Sequence, residues 1–205
     1  HPVARVLPAG NANDFYSNVH QNNTAKTIKT GAPKPIDILR LKSKKGGKTF
    51  VHYAHSYIGF GLTSEVGRQL NQVKLNRINE VFIALKTTLF LRSTHIIEAR
   101  QEQAYYSVVV ANHRIMSKVL KMSDQSSLDD GKFELVKFKK SSKWLLLKTL
   151  FQAATVGLKD RNQAKNYRFK TIKPTMFQID GEIFEIDGNS LASIRIDKDQ
   201  LDCLV

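Results

Sequence analysis

The sequence predicts an α+β fold dominated by β-strand, and three observations carry that expectation. From Ile36 onward, short runs such as Ile36–Leu41 and Phe133–Lys139 alternate apolar and polar residues with the two-residue period of a half-covered strand. Tyr105–Ala111 is a continuous Val-rich run, as in a central strand covered on both faces. Only two long stretches, 64–92 and 141–158, space their apolar residues as helices do.

Taken in order, the chain opens with an apolar run (Val3, Val6, Leu7) that ends at Pro8 and Gly10, followed by a polar cluster with Asn11, Asn13 and Asp14. That is the pattern of a strand-to-helix turn, read either as an ordinary capped helix start or as a turn whose N–H groups meet a phosphate. A short polar helix at 13–23 and a loop to Pro35 follow, then a strand at Ile36–Leu41. The lysine-rich Lys42–Lys48, with Gly46 and Gly47, reads as a hairpin turn into a strand at Thr49–Ser56. It is not a phosphate loop, because the glycine required five residues before Gly47 is Lys42. Tyr57–Ser64 reads as a small-residue turn before a helix, and Ser64 stands where a dinucleotide fingerprint needs its third glycine.

Helices with a break between them are expected over Ser64–Arg92, then strands at Ile96–Arg100 and Tyr105–Ala111, the latter leading into Asn112-His-Arg114. Met122–Gly131 is a polar node that ends in Leu128-Asp-Asp-Gly131, followed by the strand Phe133–Lys139. Ser141–Leu158 predicts a helix with Trp144, Leu145, Leu147, Leu150, Phe151 and Ala154 on one face and lysines around it. Such a helix either docks on the core or lies on anionic lipid with its aromatic residue at the headgroups. Strands at Tyr167–Lys173, Thr175–Ile179, Ile183–Ile186 and Leu191–Ile196 complete the pattern, with Asp180-Gly-Glu182 turning the chain between two of them.

Composition bounds the function. The 205 residues suffice for a real core, and a net charge of +14 with a pI near 9.9 predicts attraction to nucleotide phosphates, an anionic membrane or nucleic acid. No helix-turn-helix, zinc-finger spacing or aromatic RNA-binding signature occurs, so nucleic acid is the least favoured partner. Scattered histidines and the missing Gly-x-Ser-x-Gly elbow disfavour hydrolases. The single cysteine, Cys203, suits a reducing compartment, and no apolar stretch is long enough to span a bilayer. The expected location is cytoplasmic, with any membrane contact peripheral.

Three segments stand in a fixed order: Pro8-Ala-Gly-Asn-Ala-Asn-Asp-Phe15, Leu128-Asp-Asp-Gly131 and Gln178-Ile-Asp-Gly-Glu182. Together they resemble the diacylglycerol kinase catalytic superfamily, which includes bacterial diacylglycerol kinases and sphingosine and ceramide kinases. The resemblance implies a β-rich, antiparallel, sandwich-like C-terminal domain over 31–205, with 1–30 as the end of an α/β nucleotide-binding domain. It also implies ATP and Mg²⁺ as cofactors and a lipid alcohol as substrate. Asp180 would be the general base with Glu182 beside it, and Gly10, Asn11, Asn13 and Asp14 would border the nucleotide. Asp130, with backbone carbonyls near Ser127 and Lys132, would hold a structural Mg²⁺; from the residues alone, a metal-free hairpin turn stands equally open. Asn11 replaces the usual Thr or Ser, and the family's Gly-Gly-Asp-Gly-Thr loop has no counterpart in these residues. The expectation is therefore the C-terminal part of a lipid kinase, inactive alone and completed by an N-terminal nucleotide domain, or a non-catalytic lipid-binding module that has lost that half.

Overall fold

The computed structural model describes residues 2–5, 16, 33–70, 86–112, 115–116, 120–121, 128–155 and 161–204. Its centre is one twelve-stranded sheet. In chain order the strands are β1 (Val3–Arg5), β2 (Pro33–Lys45), β3 (Lys48–Ala54), β4 (Tyr57–Gly61), β5 (Thr94–Glu98), β6 (Gln101–Ala111), β7 (Ile115–Met116), β8 (Leu120–Lys121), β9 (Phe133–Lys139), β10 (Arg161–Ala164), β11 (Asn166–Thr171), β12 (Thr175–Ile179), β13 (Glu182–Ile186) and β14 (Leu191–Leu204). The main path is β13-β12-β4-β6-β5-β11-β14-β2-β3, with β9 and then β10 branching from β6. The pairing is antiparallel except where β1 runs parallel to the end of β14; β7 and β8 form a separate small hairpin.

The sheet curls on itself, as its core shows. Leu39, Phe60, Ile96, Val108, Phe133, Phe169, Phe177 and Ile194, from eight strands spread along the path, belong to one buried cluster. Phe60, Phe169 and Phe177 meet with ring centroids 4.9 to 6.1 Å apart. This is the β-rich, sandwich-like arrangement that the sequence implies. β6 pairs with β4, β5 and β9 and is covered on both faces, as its Val run predicts.

Three local expectations change. Tyr57–Gly61 is an inner strand, β4, rather than a turn, and Gly61 meets a tight backbone approach: a Cβ there, where φ is +83, would stand 2.2 Å from the Tyr106 carbonyl oxygen. β9 is mostly buried rather than half exposed, because Glu134 lies under cover while Phe133 and Leu135 face the main core. The third change concerns the helices. Helix α1 spans Leu62–Leu70, residues 86–90 are helical, and α2 spans Lys143–Thr155. Ser142 caps α2, its hydroxyl oxygen accepting from the Leu145 N–H. Leu146 anchors α2, packing with Tyr106, Val109 and Val136 on the outer face of the sheet, with Leu150 beside it. Trp144, Leu145 and Phe151 point to solvent instead of sharing the buried face.

Candidate functional site

Two acidic corners define the site, and each forms by clasping a turn that is distant in sequence. Asp180 and Gly181 are the two central residues of the β12–β13 hairpin, with φ of +46 and +96, the left-handed pair that a tight antiparallel turn requires. The Asp180 carboxylate then reaches across to the bend between β3 and β4. Oδ2 accepts the His55 N–H at 2.7 Å, and Oδ1 accepts the N–H groups of Ser56 and Tyr57 at 3.0 and 2.9 Å. The backbone is locked in the other direction as well, Asp180 N–H donating to the Tyr57 carbonyl at 3.1 Å.

His55 Nε2 lies 3.4 Å from Asp180 Oδ2, while its Nδ1 is 2.7 Å from Ser56 Oγ. A carboxylate offers about four acceptor positions. Oδ1 takes two donors and Oδ2 one, and the remaining side of Oδ2 faces the His55 imidazole at 3.4 Å. The Asp180 side chain is 17% exposed, so solvent or a ligand reaches it. Glu182, first residue of β13, is exposed.

The second corner is Leu128-Asp-Asp-Gly131, held by a residue that the sequence reading missed. Asp37 on β2 is fully buried. Its Oδ2 accepts the Gly131 N–H at 2.6 Å, its Oδ1 accepts the Asp199 N–H at 2.9 Å, and its own N–H donates to the Leu128 carbonyl at 2.7 Å. The register of β2 against β14 slips between Asp197 and Leu201, so Asp37 faces a bulge and its carboxylate ties bulge and turn together. Asp130 Oδ1 accepts the Lys132 N–H at 2.8 Å, and Asp129 pairs with Lys34 at 3.2 Å.

Asn112, at the end of β6 and fully buried, joins the corners. Its side-chain N–H₂ donates to the Asp37 carbonyl at 2.7 Å and approaches the His55 carbonyl at 3.5 Å, and its backbone N–H donates to Ser56 O at 2.8 Å. A continuous path therefore runs from Gly131 through Asp37, Asn112 and His55 to Asp180. The structure thus links the two turns by one hydrogen-bonded path that ends at the Gly131 amide. Asn112 Oδ1 has no partner within it and is buried, an open acceptor in an otherwise satisfied network.

The remaining sequence candidates fall elsewhere. Gly10, Asn11, Asn13, Asp14 and Ser127 lie outside the described residues. Among the described residues no three His, Cys, Asp or Glu side chains converge as a metal site. An open cleft of about 770 Å³, lined by Ser64, Thr87, Phe90, His95, Pro174 and Met176 among others, includes neither acidic corner in its walls.

No family model matches the chain, and no curated protein does. Solved structures do match. Three structures of proteins assigned as diacylglycerol kinases of Bacillus anthracis str. Sterne superpose over the whole chain with TM-scores of 0.66, 0.67 and 0.65. Their sequence identities to it are 19%, 18% and 20%, and the chain covers 68%, 69% and 68% of their respective lengths. The chain is built on the diacylglycerol kinase fold.

Proposed function

We propose that this chain is the C-terminal part of an ATP-dependent lipid kinase that phosphorylates the hydroxyl of diacylglycerol or of a sphingoid-like lipid. The observation that carries the reading is the Asp180 corner, a partly exposed carboxylate pinned by three backbone N–H groups beside the His55 imidazole, on the fold of proteins assigned as diacylglycerol kinases. Phosphoryl transfer to an alcohol needs a positioned base for the hydroxyl proton, a nucleotide held in line and cationic neutralisation of the phosphates.

In this reading Asp180 Oδ2 accepts the proton of the lipid hydroxyl as its oxygen attacks the γ-phosphorus and the bond from that phosphorus to the β–γ bridging oxygen breaks, releasing ADP. The three N–H donors act by orientation: they hold the carboxylate in one rotamer, so that no conformational freedom is lost when the substrate arrives. Glu182, two residues on, lies at the mouth of the same hairpin and would bear on the charge around the base. Gly10, Asn11, Asn13 and Asp14 would border ATP, and Mg²⁺ would arrive with its phosphates. Asp130, with carbonyls of Ser127 and Lys132, would hold any structural ion at the second corner. The nucleotide domain expected from the resemblance would supply the phosphate loop.

The test is transfer of labelled phosphate from ATP into the lipid extract by the protein carrying its nucleotide domain, offered diacylglycerol or a sphingoid base in mixed micelles. Label in one lipid is expected. ATP-dependent label in neither, from protein that binds nucleotide, would leave the non-catalytic lipid-binding module as the better account.

A further inference from the structure

The open cleft beside β5 holds a chain of three side chains that the acidic corners do not involve. His95 places Nδ1 2.6 Å from Glu102 Oε1 and Nε2 3.2 Å from Ser93 Oγ. The topology makes the first contact: β5 turns into β6 through Ala99 and Arg100, Ile97 pairs with Glu102, and His95 is therefore the diagonal neighbour of Glu102 on one face of the hairpin. Ser93 lies two residues ahead of His95, in the open chain between the helical residues 86–90 and β5.

The protons follow from the partners. An ionised carboxylate only accepts, so the Glu102 contact is a donation from Nδ1–H. In the neutral ring that leaves the lone pair on Nε2, which at 3.2 Å accepts the hydroxyl proton of Ser93. Hydroxyl, imidazole and carboxylate linked in that order are the parts of an activated nucleophile. No Gly-x-Ser-x-Gly elbow announces them, because they come from an open segment and a hairpin rather than from a strand-to-helix turn.

The surroundings fit a substrate. All three residues line the cleft, whose volume of about 770 Å³ is that of a small-molecule site. Leu91, Ile172, Pro174 and Met176 give it apolar wall for an acyl group, while the exposed cations Arg92 and Lys173 also line it and suit the charge that develops on a carbonyl oxygen. The His95 side chain is 43% exposed, so substrate and water both reach the imidazole.

We propose that Ser93, His95 and Glu102 form a second, esterolytic site for carboxylic esters with a small apolar acyl group. Ser93 Oγ adds to the ester carbonyl as His95 Nε2 takes its proton; the bond from the carbonyl carbon to the alcohol oxygen breaks, and the imidazolium gives that proton to the leaving alcohol. Water then attacks the acyl-serine, passing a proton to Nε2. The bond to Ser93 Oγ breaks, Oγ recovers the proton, and the carboxylic acid leaves. The site uses no residue of the Asp180 corner and is independent of the kinase reading.

The 205-residue chain is incubated with p-nitrophenyl butyrate and, separately, with a fluorophosphonate probe, whose phosphorus loses fluoride to an activated serine. Multiple turnovers of the ester are expected, with the probe found on Ser93 by peptide mass. Ser93→Ala should abolish both, and His95→Gln should lower both rates by about 10²-fold or more. Glu102→Gln, which keeps the base but no longer fixes its tautomer, should lower them by less. None of the three positions is in the core, and an unchanged melting temperature shows that each variant is folded. The folded parent chain left unlabelled at Ser93 would overturn the proposal. So would hydrolysis that persists in Ser93→Ala, the mark of acylated surface lysines, or an unchanged rate in His95→Gln.

Discussion

The tripeptide Ile-Asp-Gly occurs twice, at 179–181 and 186–188, and the fold gives the two copies the same task in different surroundings. Each aspartate donates its N–H to a carbonyl of a remote strand, Tyr57 O for Asp180 and Lys44 O for Asp187. Each carboxylate accepts the N–H groups of the turn beside that carbonyl. Asp187 takes Gly46 and Gly47, both at 2.9 Å, at the tip of the lysine-rich β2–β3 hairpin. Asp180 takes three N–H groups from a bend that also presents an imidazole and is stitched through Asn112 to the other acidic corner. The clasp itself is thus a structural device; its chemical potential comes from what the clasped turn is connected to.

The comparison can be broken by removing each clasp. Asp180→Ala leaves three partly covered amides without an acceptor and puts alanine at a φ of +46, where asparagine or aspartate sits more easily. A loss of about 1–3 kcal/mol is expected in chemical denaturation. Asp187→Ala, which releases only the two amides of the exposed Gly46-Gly47 tip, should lower the melting temperature by a clearly smaller amount in the same buffer. Equal losses would show that the surroundings do not distinguish the two.

Asn112→Ala tests the link between the corners. It strips the Asp37 and His55 carbonyls of their shared donor and leaves a hole at a buried position, for an expected cost of about 1–3 kcal/mol. Coupling of the two corners also predicts that Asn112→Ala combined with Asp180→Ala costs less than the sum of the single changes. Additive losses would mean that the network is a list of separate bonds.

The smallest effect is in pH. The Gly47 and Gly46 amides hold the Asp187 carboxyl below its ordinary value of 3.8. A carboxylate whose folded value is depressed stabilises the fold fully above its unfolded value, and that contribution disappears as pH falls through the folded value. The Asp187 carboxyl should therefore titrate below 3.8 by NMR, and Asp187→Asn should flatten that acid limb of the stability profile. A midpoint at or above 3.8 would contradict the clasp at the hairpin tip.

How much of this could be read beforehand depends on sequence distance. Strands whose signal is local, such as the Val run of β6 or the hairpin at Gly46-Gly47, were legible because period and turn residues lie within a few positions. Asp180-Gly181 was legible as a turn for the same reason. Asp37 was passed over as part of an alternating strand, since its partners Gly131 and Asp199 are 94 and 162 residues away. Asn112 was noticed only as the end of an apolar run, although a fully buried amide there is what joins the corners. The glycines of β4 suggested a turn because what explains them, the Tyr106 carbonyl beside Gly61 and the Thr63 side chain over Gly59, is visible only in the fold. Trp144 and Phe151 were placed on one apolar face with Leu150, but whether the core covers that face was left open, because composition marks a helix as apolar without saying which side the core reaches.

The most direct test of the central claim is phosphoryl transfer to lipid by the protein with its nucleotide domain, comparing Asp180→Asn with Asp187→Asn. Asparagine keeps the turn and an acceptor oxygen in both but cannot take up a hydroxyl proton. The account predicts that Asp180→Asn lowers kcat by about 10²–10⁴ while Asp187→Asn stays within about twofold of the parent. Retained turnover in Asp180→Asn, with the fold intact by circular dichroism, would contradict it.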